Sequence, residues 1–161
     1  MISLLTVVEN NKMNEIEVKD LVSKLSCEYP KEEQQKAINQ LSVVDEQYFG
    51  LLFNKNLKET WENIVIVIEK IGCPKNKYFI PELLWLLRDV NWPGSMHAID
   101  ILLKQNKDVV IPKLEETIKE AHQQEDYMWL GGLKLLVEKG NYNEMNYIDE
   151  NTLSLLEFSD F

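Results

Sequence analysis

The sequence has little arginine, and this scarcity narrows the class of partner. Arg88 is the only arginine among 17 Lys and Arg residues, which stand against 27 Asp and Glu for a net charge of -10. Nucleic acids and anionic membranes are bound largely through Lys and Arg contacts with phosphate groups. The charge therefore predicts no nucleic-acid partner and no membrane partner. It favours a basic protein partner, because complementary charge raises the association rate.

Cysteine is also scarce, and long apolar runs are missing. Cys27 and Cys73 lie far apart and form no CxxC pair, so no disulfide framework is predicted. We interpret both as small buried side chains in a reducing cytoplasm. The apolar stretch 2–8 is expected to form a short helix, or alternatively a strand, and it lacks the features of a signal peptide. No run reaches the roughly 18 apolar residues that span a bilayer, so we expect a cytoplasmic protein.

Apolar residues recur at helical spacing along most of the chain, and strand signals are scarce. The clearest stripe covers residues 57–71 and ends at Gly72, a natural C-cap. Stripes of the same period predict further helices over 15–27, 30–43, 78–88, 94–105, 108–121 and 125–138, and short helices after Asp45 and around 153–158. Ile16 and Met96 are among the residues expected to face inward. The stretch 78–88 is apolar almost all round, which predicts a central position in the fold.

The predicted helices come in pairs joined by short connections. This pattern predicts an all-α fold, an α-solenoid of stacked antiparallel helix pairs within a single domain over 1–161. Two stretches, 21–41 and 84–102, are self-similar, since each has an aromatic–proline turn followed by Ala-Ile-x-x-Leu. The spacing between them leaves room for one more pair. Gly131-Gly132 inside a predicted helix indicates a close helix–helix approach or a kink.

One part of the chain resembles a known family. The stretch Pro81-Glu-Leu-Leu-Trp-Leu-Leu-Arg-Asp-Val-Asn-Trp-Pro-Gly94, followed by Val110-Ile111-Pro112 and Asp126-Tyr-Met-Trp129, is similar to a bacterial family of uncharacterised domains with HEAT-like helical repeats. The resemblance is strongest over 57–140, and Asn-Trp-Pro is its most specific element. Leu130 departs from the pattern, which favours lysine there. The resemblance implies a HEAT-like fold and supplies no chemistry.

The same motif provides the candidate site residues, which are Asp89, Asn91, Trp92, Pro93, Asp126 and Trp129. One interpretation makes them a recognition edge at the turns between helix pairs. The other is structural: Asp89 or Asn91 caps the next helix, Trp92 wedges between pairs, and Pro93 starts the helix. We prefer the structural interpretation, because the bulk of tryptophan and the cap chemistry explain the motif without a ligand.

No catalytic, cofactor-binding or metal-binding motif stands out. His97 and Asp100 share a helix face, but further ligands for a metal are not identifiable. The chain has no Gly-x-Ser-x-Gly element and no glycine-rich phosphate loop. We therefore expect a protein that is not an enzyme and that carries neither a cofactor nor a metal.

Two functional hypotheses follow. The first is a non-enzymatic protein-binding module with a basic protein partner, and a specific form of it is an immunity protein against a basic toxin such as a nuclease. The alternative is an enzyme of the HEAT-like DNA glycosylase type, with the four tryptophans as its aromatic residues. The net charge and the single arginine disfavour the positive groove that such an enzyme needs.

Overall fold

The computed structural model describes residues 12–144 and 147–160, and every regular element in those ranges is helical. The predicted all-α class is therefore confirmed. The α-helices are α1 Glu15–Ser23, α2 Lys31–Leu41, α3 Trp61–Ile71, α4 Ile80–Leu86, α5 Ser95–Lys104, α6 Lys107–Gln123, α7 Tyr127–Gly140 and α8 Glu150–Leu155. Short 3₁₀ helices cover Glu46–Leu51, Lys58–Thr60, Lys75–Phe79 and Leu156–Phe158. The stretch 2–8 lies outside the described residues.

Local side-chain chemistry determines several helix ends. Asn14 and Glu17 form a reciprocal capping box at the start of α1, with bonds of 2.8 and 3.0 Å. Gly72 ends α3 at φ 73°, as predicted from its position after the apolar stripe. α1 ends earlier than the predicted 15–27, because the chain turns after Ser23 and the Cys27 N–H donates to the Glu59 carbonyl at 3.1 Å.

Neighbouring helices pack against each other in a regular order. Among consecutive helices, contacts join α1 to α2, α2 to α3, α4 to α5, and α6 to α7. Helices two positions apart also touch: α3 with α5, α4 with α6, α5 with α7, and α6 with α8. The predicted pair between the two self-similar stretches is replaced by 3₁₀ segments and a single α-helix, α3.

The core is one cluster of buried apolar side chains that runs from Val18 to Leu156. α4 lies deep in this cluster, as predicted, with Leu83, Leu84 and Leu86 fully buried. A Cβ built on Gly132 of α7 would lie 1.9 Å from the carbonyl oxygen at the end of α4, that of Leu87. The close approach predicted from Gly131-Gly132 is therefore confirmed, and it brings α7 against α4.

Three expectations about burial are wrong. Cys27 and Cys73 are exposed free cysteines, because each follows the end of a helix and lies in a surface turn. Ile16 is 79% exposed, since it lies about 200° around α1 from the buried Val18. Met96 is 45% exposed for the same reason, on the face of α5 opposite Ala98.

Candidate functional site

The turn between α4 and α5 contains four of the predicted site residues. The Asp89 carboxylate accepts the Asn91 N–H at 2.8 Å, which closes an Asx turn, so Asp89 stabilises the turn and caps no helix. Asn91 is exposed, and the N-cap of α5 is Gly94, at φ 82°. Neither Asp89 nor Asn91 caps the helix, and α5 begins two residues after Pro93. A Cβ on Gly94 would lie 3.1 Å from the Trp61 carbonyl oxygen, so the turn lies tightly against α3.

This tight turn places Trp92 in a cluster of aromatic rings. The ring centroids of Trp85 and Trp92 are 5.3 Å apart, and Trp61 lies 5.3 Å from Trp85 and 5.1 Å from Trp92. Phe53 lies 5.9 Å from Trp85, nearly edge-on. Trp61 is buried, whereas the other three are only partly buried. We call Phe53, Trp85 and Trp92 the aromatic face.

Hydrogen bonding separates the four tryptophans into two kinds. The indole N–H of Trp61 donates to the Asn54 carbonyl, and that of Trp129 donates to the Leu84 carbonyl, each at 2.9 Å. Within residues 12–144 and 147–160, the indole N–H groups of Trp85 and Trp92 have no acceptor. Buried indoles find a partner inside the protein, whereas indoles at interfaces use water or a binding partner. Trp61 and Trp129 therefore have structural roles, whereas the indole N–H groups of Trp85 and Trp92 remain available to an acceptor from water or from a partner.

Lysine side chains lie over the exposed rings. The Lys55 ammonium is 5.0 Å from the Trp85 centroid, and the Lys58 ammonium is 5.5 Å from that of Trp92. Both lysines are exposed, so each contact is worth only about 0.5–1 kcal/mol. The ring faces thus hold cations weakly, and a competing cation from outside could displace them.

The lone arginine joins this cluster to the other predicted residues. The Arg88 guanidinium lies 4.2 Å from the Trp129 centroid and 6.0 Å from that of Trp85, and it donates to Gln124 at 2.7 Å. The Asp126 carboxylate accepts the backbone N–H of Trp129 at 3.0 Å as the N-cap of α7, and it lies 3.7 Å from Arg88 Nε. Trp129 is only 3% exposed. Asp126 and Trp129 therefore connect α7 to the end of α4, through Arg88 and through the Leu84 carbonyl.

One carboxyl group in the first turn of α4 has an unusual environment. Glu82 Oε2 is buried and has no hydrogen-bond donor in the described part of the chain. Burial raises the pKa of the Glu82 carboxyl above its ordinary value, and a hydrogen bond to its own backbone and the charge of Lys55 oppose that shift. Glu82 lines a cleft of about 560 Å³ that Phe53 and Lys55 also line. The cleft and the aromatic face are therefore adjacent and share Phe53.

The two histidines lie elsewhere. His97 bonds to Glu69 at 2.8 Å, and Lys104 bonds to the same carboxylate at 3.0 Å. These hydrogen bonds, from Lys104 first and then His97, lower the pKa of Glu69. His122 packs edge-on against Phe158. Over 12–144 and 147–160, no group of three or more His, Cys, Asp or Glu side chains is arranged to hold a metal ion.

Phe53, Lys55 and Glu82 are not among the site residues predicted from the sequence. Glu82 did leave a signal, since it is the only charged residue within the apolar stretch 78–87. A carboxylate inside such a stretch indicates either a buried group or a site. Phe53 and Lys55 left no signal, because only the folded chain places their loop beside Trp85.

In the described residues no helix is long and apolar enough to cross a bilayer. No family model, curated protein or solved structure matches the chain, so the resemblance carried by the Asn-Trp-Pro turn stays a prediction.

Proposed function

We propose that the helices stack as a HEAT-like α-solenoid of antiparallel pairs. Contacts between helices two positions apart support two layers, one containing α4, α6 and α8 and the other α3, α5 and α7. In such a stack each pair touches only its neighbours and leaves long surfaces for partners. The paired contacts of α4 with α5 and of α6 with α7 fit this arrangement.

We infer that the chain is a non-enzymatic protein-binding module and that the aromatic face is its contact surface. The observation that carries this proposal is the pair Trp85 and Trp92, which are partly buried and whose indole N–H groups have no acceptor in the described part of the chain. Tryptophan is enriched in binding hot spots, because it offers a large apolar area and a hydrogen-bond donor on a stiff side chain. Partly exposed aromatic clusters are correspondingly typical of interfaces.

The partner is a basic protein that acts with this module in the cytoplasm. The net charge of -10 attracts a positive surface over distances near the Debye length, about 8 Å at physiological salt. The ring faces of Trp85 and Trp92 already lie beneath lysine ammonium groups of this chain. A partner's Lys or Arg side chains can occupy the same positions. An immunity protein that blocks a basic toxin is a specific form of this proposal.

Affinity capture from the native host tests the proposal. The tagged protein is incubated with lysate at about 50 mM and at about 500 mM salt, and the captured proteins are identified by mass spectrometry. We expect a basic protein that is retained at low salt, because screening shortens the reach of the charges at high salt. Trp92→Ala should abolish the capture.

The control is Tyr147→Ala, which removes an exposed aromatic residue from the loop before α8. It should leave the capture unchanged. Two outcomes would contradict the proposal: recovery of no protein at low salt, or equal capture by wild type and Trp92→Ala.

The DNA glycosylase alternative ranks lower. Lys55, Lys58 and Arg88 are the cations that contact the tryptophans in the described residues, and Arg88 is already held by Gln124. Duplex DNA requires many phosphate contacts from such cations. A gel shift with duplex DNA at low salt separates the two proposals, and clear binding would reverse their order.

A further inference from the structure

Trp85 and Trp92 each carry a hydrogen-bond donor that reaches the surface and that the chain leaves unused. In the described part of the chain, the polar side-chain atoms that are both buried and without a partner belong to Glu82, Arg88 and Thr152. The two indole nitrogens also have no acceptor within 12–144 and 147–160, so their N–H groups are accessible to solvent. An occupant of the aromatic face that excludes water must supply acceptors to these donors.

The rings of the aromatic face form a short row. Trp85 lies in the middle, because its centroid is 5.9 Å from that of Phe53 and 5.3 Å from that of Trp92, and no ring contact in the described residues joins those two directly. Trp61, which is buried, contacts all three rings at centroid distances of 5.1 to 6.3 Å. Neighbouring rings in the row are tilted by 73° and 39°, so the surface between them is grooved and not flat.

The conformation of the occupant follows from where free acceptors occur in proteins. A helix bonds most of its own carbonyls internally, so it leaves few acceptors for an indole. A β-strand is bound by addition to the edge of a sheet, and every regular element in 12–144 and 147–160 is helical. A polyproline II segment has no internal hydrogen bonds, so all its carbonyls are free. Such segments dock into grooves lined by aromatic side chains.

We propose that the aromatic face binds a proline-rich segment of the partner in the polyproline II conformation, whose carbonyls accept from the Trp85 and Trp92 N–H groups. The inference rests on the proposed function and names the segment that the partner presents. Prolines three positions apart lie on the same side of this helix, about 9 Å from each other. The row from Phe53 to Trp92 has a comparable length, with its two centroid steps. The residues between the prolines carry the positive charge of a basic partner.

Lys55 and Lys58 leave the ring faces when the segment binds. Their ammonium groups lie 5.0 Å from the Trp85 centroid and 5.5 Å from the Trp92 centroid. Cation–π contacts of exposed lysines are weak, and loss of one corresponds to about a two- to fivefold change in an equilibrium constant. The two lysines therefore oppose a proline-rich segment slightly, whereas they would hold an acidic one.

The test titrates the ¹⁵N-labelled full chain with an acetylated and amidated nonaproline peptide, which adopts the polyproline II conformation. The indole N–H signals of Trp85 and Trp92 should shift in a saturable manner. Those of Trp61 and Trp129 should stay in place, because each is bonded to a carbonyl inside the protein. The mirror-image peptide of D-proline has the same composition and the opposite hand, so it should cause no saturable shift.

Two variants should have opposite effects on the affinity for nonaproline. Trp92→Phe keeps the aromatic packing and removes the donor, so it should fold as wild type does and bind about two- to tenfold more weakly, as expected for one hydrogen bond. Lys58→Ala uncovers the Trp92 ring and should strengthen binding about two- to fivefold. Tyr147→Phe, which removes a hydroxyl group from an exposed ring in the loop before α8, is the control and should leave binding unchanged.

The inference is overturned if nonaproline causes no saturable shift, if the two mirror-image peptides bind equally, if Trp92→Phe binds as well as wild type, or if Lys58→Ala binds more weakly, as an acidic occupant would require. Its failure is distinguishable from that of the proposed function. If Trp92→Ala abolishes capture of the partner but nonaproline neither binds nor competes, the inference fails and the protein-binding function remains. If nonaproline binds but no partner is captured, the function fails and the aromatic face remains a site for proline-rich segments.

Discussion

Replacement of Gly132 by alanine should destabilise the protein, although alanine is the better helix former. The added Cβ would lie 1.9 Å from the carbonyl oxygen of Leu87 and 2.9 Å from its carbonyl carbon. Relief of this overlap requires α7 to move about 1 Å away from α4, because the obstacle is backbone. Overpacking of this kind costs about 1–3 kcal/mol or more, against a gain of about 1 kcal/mol from helix propensity. Because the overlap at 1.9 Å is with backbone, the cost should lie at the upper end of that range, about 3 kcal/mol, and the net loss should be about 2 kcal/mol.

Urea denaturation followed by circular dichroism measures this loss as a lower midpoint with an unchanged slope. In thermal unfolding it corresponds to a decrease in Tm of about 3–10 °C for a chain of this length. Gly50→Ala is the control, since its Cβ would lie 3.5 Å from the Tyr78 hydroxyl, an ordinary contact. Its stability should change by no more than about 0.5 kcal/mol. A Gly132→Ala variant as stable as wild type would refute the close approach of α7 and α4.

Three further predictions concern side chains. Trp129→Phe removes the indole hydrogen bond to the Leu84 carbonyl, which keeps the Leu87 N–H as a donor at 3.2 Å. Urea denaturation should therefore show a loss of about 0.5–1.5 kcal/mol, the net contribution of one hydrogen bond. Burial raises the folded-state pKa of Glu82, so wild type should lose stability as the pH rises from about 4.5 through that raised pKa. Thermal melts over this pH range measure the loss as a falling Tm. Glu82→Gln, which has no carboxyl group at this position, should show no such fall. Lys104 lowers the folded-state pKa of Glu69, so the Glu69 carboxylate should stabilise the fold above about pH 4.5 and should lose this effect as the pH falls through the lowered pKa. The Tm values of Glu69→Gln and wild type should therefore differ above about pH 4.5 and converge at lower pH.

Helical periodicity and helix caps made much of the fold predictable. The stripe over 57–71 gave α3 and its end at Gly72, and the glycine pair indicated the approach that Gly132 makes. Periodicity could not decide the exposure of Cys27 or Ile16. A cysteine in a turn belongs to no stripe, and an apolar residue near a helix end is buried only if another element covers it.

The candidate site was predictable only in part. The motif drew attention to Trp92 and Trp129, but the sequence gives no hydrogen-bond partners, so it could not separate the available indole of Trp92 from the anchored one of Trp129. The contribution of Phe53 depends on a contact across more than 30 residues of sequence with Trp85. Contacts of that range arise from packing and have no local signature.

The indole N–H signals of the four tryptophans in the ¹⁵N-labelled protein test the central claim most directly. On addition of the captured basic partner, the signals of Trp85 and Trp92 should shift or broaden, because their N–H groups enter the interface. The signals of Trp61 and Trp129 should stay in place, because each is bonded to a carbonyl inside the protein. Formation of the complex with the Trp85 and Trp92 signals unchanged would contradict the account.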